Sequence, residues 1–426
     1  GIRMETSISY GLRMESALPL LSVEGFHYEW EPDRHAVLEM DGYIAPEMAY
    51  GMAEVCDSRI HIWKDEKNET IFHGYVVRVL EESAGGMRRV HIEARSASCM
   101  LDRQPQRRSF QAAGDTYAQV VRAAVQDEKG QVICTEGNDT PIGKPVIQYD
   151  ETVWAFARRL AGRLGTCVVA DIISGEPALW FGMRGGSAVP AFQEDGYDVR
   201  VARMAHGDGK QTETVFETEG RDFYKIGDRT VFCGRQLVIC GVSACFRNGE
   251  LTFRYRLKDR ESCKELFQES FTGLGLAGTV TGVRNEQVKV ALDIDGGRET
   301  GDYYYDWYPE TGNALYAMPE TGARVEVCFA GRDEREGFGL DSFLGSPDQN
   351  SPYRHRKLDA ANGNHAHLYD SSIELADGGQ YSLRLCDGSI SLDHVRSLSI
   401  SAGGAVHLSA ENITVDAPDE LNFYYG

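Results

Sequence analysis

The chain has 426 residues, too many for one hydrophobic core, and about three domains is the soft expectation. Its formal net charge of −21, from 65 acidic against 44 basic residues, repels phosphate backbones and anionic membranes and argues against a nucleic-acid or lipid-surface role. No apolar stretch approaches the roughly 20 residues that a membrane-spanning helix needs, and the N-terminus lacks the charged-then-apolar order of a secretory signal, so no stable membrane insertion and assembly in the cytoplasm are expected. The ten cysteines are scattered singly. Their closest pairs, Cys233 with Cys240 and Cys240 with Cys245, lack both zinc-site spacing and the density of a disulfide scaffold, so reduced structural thiols are expected.

From the N-terminus to about Arg103 the chain is dominated by β signals. "RIHIWKD", "TIFHGYVVRVLEE" and "RRVHIEARSAS" alternate apolar with polar residues, and the last two flank Gly85 and Gly86 as a predicted hairpin. The character changes at Asp115, a candidate N-cap. "DTYAQVVRAAVQDE" spaces Tyr117, Val120, Val121, Ala124 and Val125 as an amphipathic helix. "DETVWAFARRLAGRLGT" does the same with Val153, Trp154, Phe156, Ala157, Leu160 and Leu164, and stops at Gly165. "CVVADIISGEPALWFG" reads as two strands, so residues 104 to about 195 form an α/β unit set into a β-rich background. β character returns over Tyr224–Asp259, where "NG" predicts a second long hairpin, and "FCGRQLVICGV" weakly echoes "FHGYVVRV". Beyond Phe271 several short strands within about seventy residues suit a small barrel. Residues 350 to 371 are polar and read as a linker.

The C-terminal segment has its own rhythm. In "SLSISAGGAVHLSAENITVDA" (Ser397–Ala417), Leu398 and Ile400, Val406 and Leu408, and Ile413 and Val415 fall on one face of short strands. Ile373 and Leu375, Leu383 and Leu385, and Ile390 and Leu392 repeat the pattern upstream between Asp-Gly turns. Burying the six side chains from Leu398 to Val415 contributes roughly 9 to 18 kcal/mol, while fixing the backbone of about twenty residues costs roughly 20 to 40 kcal/mol. The segment needs a partner surface: either another part of its own chain, as an antiparallel meander, or identical segments of other chains, as a β-prism.

The order of segments resembles the VgrG-type spike proteins of contractile injection systems, which are similar to the hub-and-needle proteins of contractile phage tails. The resemblance rests on "ARSASCMLDRQPQRRSFQ", "IQYDETVWAFARRLAGRLGT", "GTVTGVRNEQVKVAL", "MPETGARVEVCF" and "GFGLDSFLGS", followed by the alternating repeats. It implies a mainly β chain with an α/β insert. Residues 1–103 and 196–271 would be two β-barrel-like hub domains, 104–195 the insert, 272–347 an OB-type barrel, 348–371 a linker and 372–426 a triple-stranded β-helical needle. Leu383, Leu385, Ile390, Leu392, Leu398, Ile400, Val406, Leu408, Ile413 and Val415 would line the trimer interface. The implied function is structural: a homotrimer that caps a hexameric tube, docks on baseplate proteins, pierces an envelope on contraction and is translocated, carrying a PAAR-like tip protein or effectors. The chain ends at "APDELNFYYG" without an enzymatic extension, which leaves open a short spike, a truncated chain or a separate tip protein.

Few residues offer chemistry. In "HRKLDAANGNHAHLYD", His355, His365, His367 and Asp370 lie close together, and His-x-His puts both imidazoles on one strand face, but a solvated linker without metal is the expectation. His407, on the polar face of its strand, is a weaker candidate still. Aspartates beside Gly378 and Gly388 sit in turns, "GRDEREGFG" lacks the P-loop pattern, and no GxSxG is present. No catalytic residue, cofactor or metal is expected. The alternatives are a carbohydrate-active β-helix enzyme and an oligosaccharide-binding OB-type barrel at 272–347.

Overall fold

A computed structural model describes residues 3–47, 55–206, 209–261, 265–309, 317–343, 355–360, 362–378 and 381–423. The chain divides into two compact units, residues 1–344 and 345–426.

Alternating apolar residues build the first unit. In Met87–Ser96 every second residue is buried, Ile60 and Ile62 of Arg59–Lys64 and Phe72, Gly74 and Val76 of Glu69–Ala84 are buried at the same spacing, and Gly85 and Gly86 close the predicted hairpin with φ of 59° and 79°, the left-handed pair that a two-residue turn requires. Asn248 and Gly249 do the same, at 53° and 81°, between Arg235–Arg247 and Glu250–Lys258. The two β-rich stretches share one antiparallel sheet of twelve strands, continuous through the pairing of Leu20–Trp30 with Arg235–Arg247. Phe26 and Phe246 stack across that seam with ring centroids 5.6 Å apart. The core beneath the sheet runs from Leu12 to Leu257 and includes Cys167, Val169 and Ile172 of the insert.

The insert holds both predicted helices, α1 (Tyr117–Asp127) and α2 (Val153–Arg163). Thr116, not Asp115, caps α1. A side chain at that position can pair reciprocally with Gln119 three residues on, and both bonds of this capping box form. Thr152 Oγ1 accepts from Ala155 N at 3.2 Å at the start of α2, and Gly165 turns the chain away at φ 66°. The two strands read in "CVVADIISGEPALWFG" are Val168–Ala170 and Ala178–Phe181.

Five strands follow, ordered Tyr305–Asp306, Gln287–Leu292, Gly275–Arg284, Arg324–Cys328 and Phe338–Phe343. The edges meet through a bridge between Trp307 and Gly339 and a bond from Tyr308 N to Gly339 O at 2.9 Å, which closes a small barrel around Val280, Val288, Val290, Val325 and Val327. A Cβ on Gly339 would lie 2.9 Å from Val288 and 3.0 Å from Trp307, so only glycine permits this closure. Residues 344–346 of "GFGLDSFLGS" lie outside the described residues.

Buried charge fastens the insert to the barrel. Arg159 Nε and Nη2 donate to the two carboxylate oxygens of Glu151, each at 2.8 Å, and Nη2 also donates to Ile147 O at 3.0 Å. Its Nη1 donates to Glu334 Oε1 at 2.6 Å, and Arg163 lies 2.6 Å from the same oxygen. All three of these side chains, Arg159, Arg163 and Glu334, are at most 3% exposed. Burial opposes the charge on Arg159, but the two glutamates outweigh it and raise its pKa above the ordinary range. Burial likewise opposes the charge on Glu334, and the two arginines outweigh it and lower its pKa. A second weld is Asp295, which accepts from Ser109 N at 2.7 Å and Ser109 Oγ at 2.5 Å.

The second unit contains an antiparallel meander of five strands: Arg356–Asp359, His365–Leu368, Ser372–Ala376, Ser382–Cys386 and Ser389–Asp393. Its first two strands lie in the segment read as a linker over 348–371. The linker reading is therefore corrected: each strand is four residues long and offers too few apolar positions to announce itself, yet both pair into the sheet. Residues 348–354 lie outside the described residues.

Two outcomes are expected from the buried charges. Glu334→Ala leaves Arg159 and Arg163 without their shared carboxylate and costs about 3–5 kcal/mol in denaturant unfolding; a loss below about 1 kcal/mol would mean that the network is not sealed from water. Because the folded pKa of Glu334 lies below its ordinary 4.5, its contribution is complete above that pH and is lost as pH falls through the lowered value. Acid unfolding monitored below pH 4.5 should therefore be less steep in Glu334→Gln than in the natural chain.

Candidate functional site

Pleating gives the meander of the second unit two unlike faces. Across one face run Leu358, Ala366, Leu375, Leu383 and Leu392 as successive register partners, and beside them Leu368, Ile373, Leu385 and Ile390. In a globular sheet this row would be buried. Here Leu358, Leu368, Ile373, Leu375, Leu385, Ile390 and Leu392 are all exposed, Ile390 by 73%. Four of the expected interface residues, Leu383, Leu385, Ile390 and Leu392, thus share one face. The sequence reading omitted Leu358 and Leu368, which stand among charged and polar neighbours.

Beyond Asp393 the expectation meets a different backbone. No described residue from 394 to 423 belongs to a strand. Leu398, Ile400, Val406, Leu408, Ile413 and Val415 are 51% to 71% exposed, so the single chain covers none of them. The alternation that signals a strand is present, but a strand needs a neighbour to satisfy its N–H and C=O groups.

The opposite face of the meander is polar and carries the histidines. His367 Nε2 lies 2.6 Å from Asp359 Oδ1, and His365 Nε2 lies 3.0 Å from Glu374 Oε1. The two imidazoles stack with centroids 4.2 Å apart. His355 meets His367 edge-on at 5.0 Å and stacks on Tyr369 at 4.2 Å. Of the four residues grouped in the sequence, three are therefore neighbours, whereas Asp370 is replaced by Asp359 and Glu374, which register brings in from adjacent strands. The hydrogen bond that His365 donates to Glu374, then that to Gly363 O, raises the pKa of His365, and the same histidine together with Arg384 lowers that of Glu374. In the first unit His73 is pushed down to about 4, by burial first and then by the neighbouring His61, which makes it a neutral, half-buried ring at physiological pH.

Comparison with known proteins locates the chain. Residues 57–231 match the phage tail baseplate hub (GPD) family. A search of curated proteins by sequence finds no match. Among solved structures, the fold is similar to that of the E. coli c3393 protein, described as a component of the type VI secretion system with structural similarity to the T4 bacteriophage tail proteins gp27 and gp5. That match has 13% identity and a TM-score of 0.56, and it covers 77% of this chain and 98% of the other. A chain of the lidded Francisella PdpA–VgrG complex matches at 9% identity and a TM-score of 0.53 over 87% of this chain and 76% of its own. The lidless PdpA–VgrG complex gives the same identity and TM-score, covering 87% and 93%. Residues 57–231 are thus similar to a phage tail baseplate hub, and the mainly β fold of the chain is similar to that of the type VI secretion component and of a chain in the PdpA–VgrG complex.

Proposed function

We propose that three copies of this chain assemble into the hub and spike of a contractile injection apparatus. The hub regions close a ring on a hexameric tube, and the C-terminal segments wind together as the piercing needle. One observation carries this reading: the apolar face of the meander and the alternating run after it are both uncovered in the single chain, and two further copies supply matching surfaces. The ten side chains from Leu383 to Val415 would contribute roughly 15 to 30 kcal/mol per chain if fully buried, an upper bound. Strands shared among chains also satisfy the backbone groups that residues 394–423 leave without a ladder, and no chain can then peel away without breaking them.

The mechanism needs no active site. Contraction of a sheath supplies the force, and the needle transmits it without unfolding. Baseplate proteins, a PAAR-like tip protein and effectors are the partners this role calls for, with assembly in the cytoplasm followed by translocation. Like the hub family it matches, the chain acts by structure rather than by catalysis.

Leu408→Asp places three carboxylates in one narrow dry layer and should lower the melting temperature of the assembly, at a cost of at least roughly 3 kcal/mol. Thr414→Asp, on the other face of its strand, should change stability by no more than about 0.5 kcal/mol. Equal melting temperatures for the Leu408 variant and the natural chain would show that this face is not inside.

A further inference from the structure

We propose that the polar face of the meander holds one divalent transition-metal ion per chain, bound by Nε2 of His365 and His367 with carboxylate oxygens of Asp359 and Glu374. The site goes beyond the spike reading and does not depend on it, because all four residues belong to adjacent strands of one chain.

The register makes the cluster. His365 pairs with Asp359, and His367 with Glu374, while His-x-His keeps both imidazoles on the same side of their strand. One donor atom from each of Asp359, His365 and His367 lies within 4.8 Å of the others, and Glu374 Oε1 stands 3.0 Å from His365 Nε2. The histidine side chains are 23% and 15% exposed and that of Glu374 is 15% exposed, while Asp359, at 43%, stands at the open side of the cluster.

Tautomers sharpen the case. His365 Nδ1 lies 3.0 Å from Gly363 O, and a carbonyl only accepts, so the ring proton sits on Nδ1. In the neutral ring the Nε2 lone pair then faces the Glu374 carboxylate, an arrangement that repels unless a proton or a metal ion stands between them. At His367 the outer partner is Tyr369 Oη, 3.0 Å from Nδ1, a hydroxyl that can donate or accept, while Nε2 faces Asp359 Oδ1 at 2.6 Å. An outer hydrogen bond that orients each ring and an inner nitrogen aimed at shared carboxylates is how metal-binding histidines are held. Arg384 holds the other oxygen of Glu374, Oε2, at 2.7 Å and leaves Oε1 directed at His365. Two imidazoles with carboxylates suit zinc and its divalent neighbours in the first transition row better than calcium or magnesium.

Such an ion would tie together Arg356–Asp359, His365–Leu368 and Ser372–Ala376, the first three strands of the meander. The test is a zinc titration by calorimetry on the full-length protein after chelator stripping. About one zinc per chain is expected, with the affinity lost at least tenfold in His365→Gln/His367→Gln and unchanged in His407→Gln. Fewer than about 0.1 zinc per chain, or equal affinity in the double variant, overturns the proposal. Cobalt absorption by the unmodified chain guards against a variant that misfolds: bands of a low-symmetry nitrogen and oxygen site are expected, and the spectrum of the aquo ion would contradict the site.

Discussion

A strand with an apolar side chain at every second position has to lose water from one face, and everything distinctive about the second unit follows from that requirement. The first unit meets it internally. Its twelve-stranded sheet covers its apolar face with the core that runs from Leu12 to Leu257, and the barrel closes on itself through Trp307 and Gly339. From Ile373 to Val415 the same alternation continues, but in the single chain nearly all of its apolar side chains are exposed. So many Leu, Ile and Val residues on an exposed surface are what the proposed assembly of several copies would cover.

Load-transmitting parts also need to resist shear between their pieces. The insert and the barrel are joined by the charges of Arg159, Arg163, Glu151 and Glu334 and by the Asp295–Ser109 pair, where an apolar contact would let the two slide. Buried ion pairs are weak evidence for stability but demand one geometry, because any displacement leaves a charge in a dry interior. Such a joint would keep the shape of a hub under the load that the proposed role puts on it. The metal cluster, two histidines and two carboxylates spread over three short strands, would do the same for the meander, whose strands are only four or five residues long.

Local signals were the legible part of the sequence. Paired glycines at 85 and 86 and the Asn248–Gly249 pair fixed two hairpins, and the spacing of apolar residues fixed both helices because each needs one dry face. What stayed hidden was long-range or short. Nothing in "GFHYEW" announces pairing with "VSACFR" more than two hundred residues away. The strands "RKLD" and "HAHL" are too brief and too polar to show alternation, so the segment reads as a linker. The His-x-His pattern was visible, but its carboxylates, Asp359 and Glu374, come from flanking strands that only the register brings alongside. Glu334 likewise sits in "GRDEREGFG", weighed in the sequence only as a phosphate loop, and nothing in that run announces that Arg159 and Arg163 face it.

The mass of the protein in solution, by light scattering on a sizing column, decides whether copies of the chain cover the apolar face. A value of about 142 kDa, three times the 47.3 kDa of one chain, is the result expected for the wound trimer. A value near 47 kDa at micromolar concentration would contradict it and would mean that residues 394–423 find their cover on their own chain.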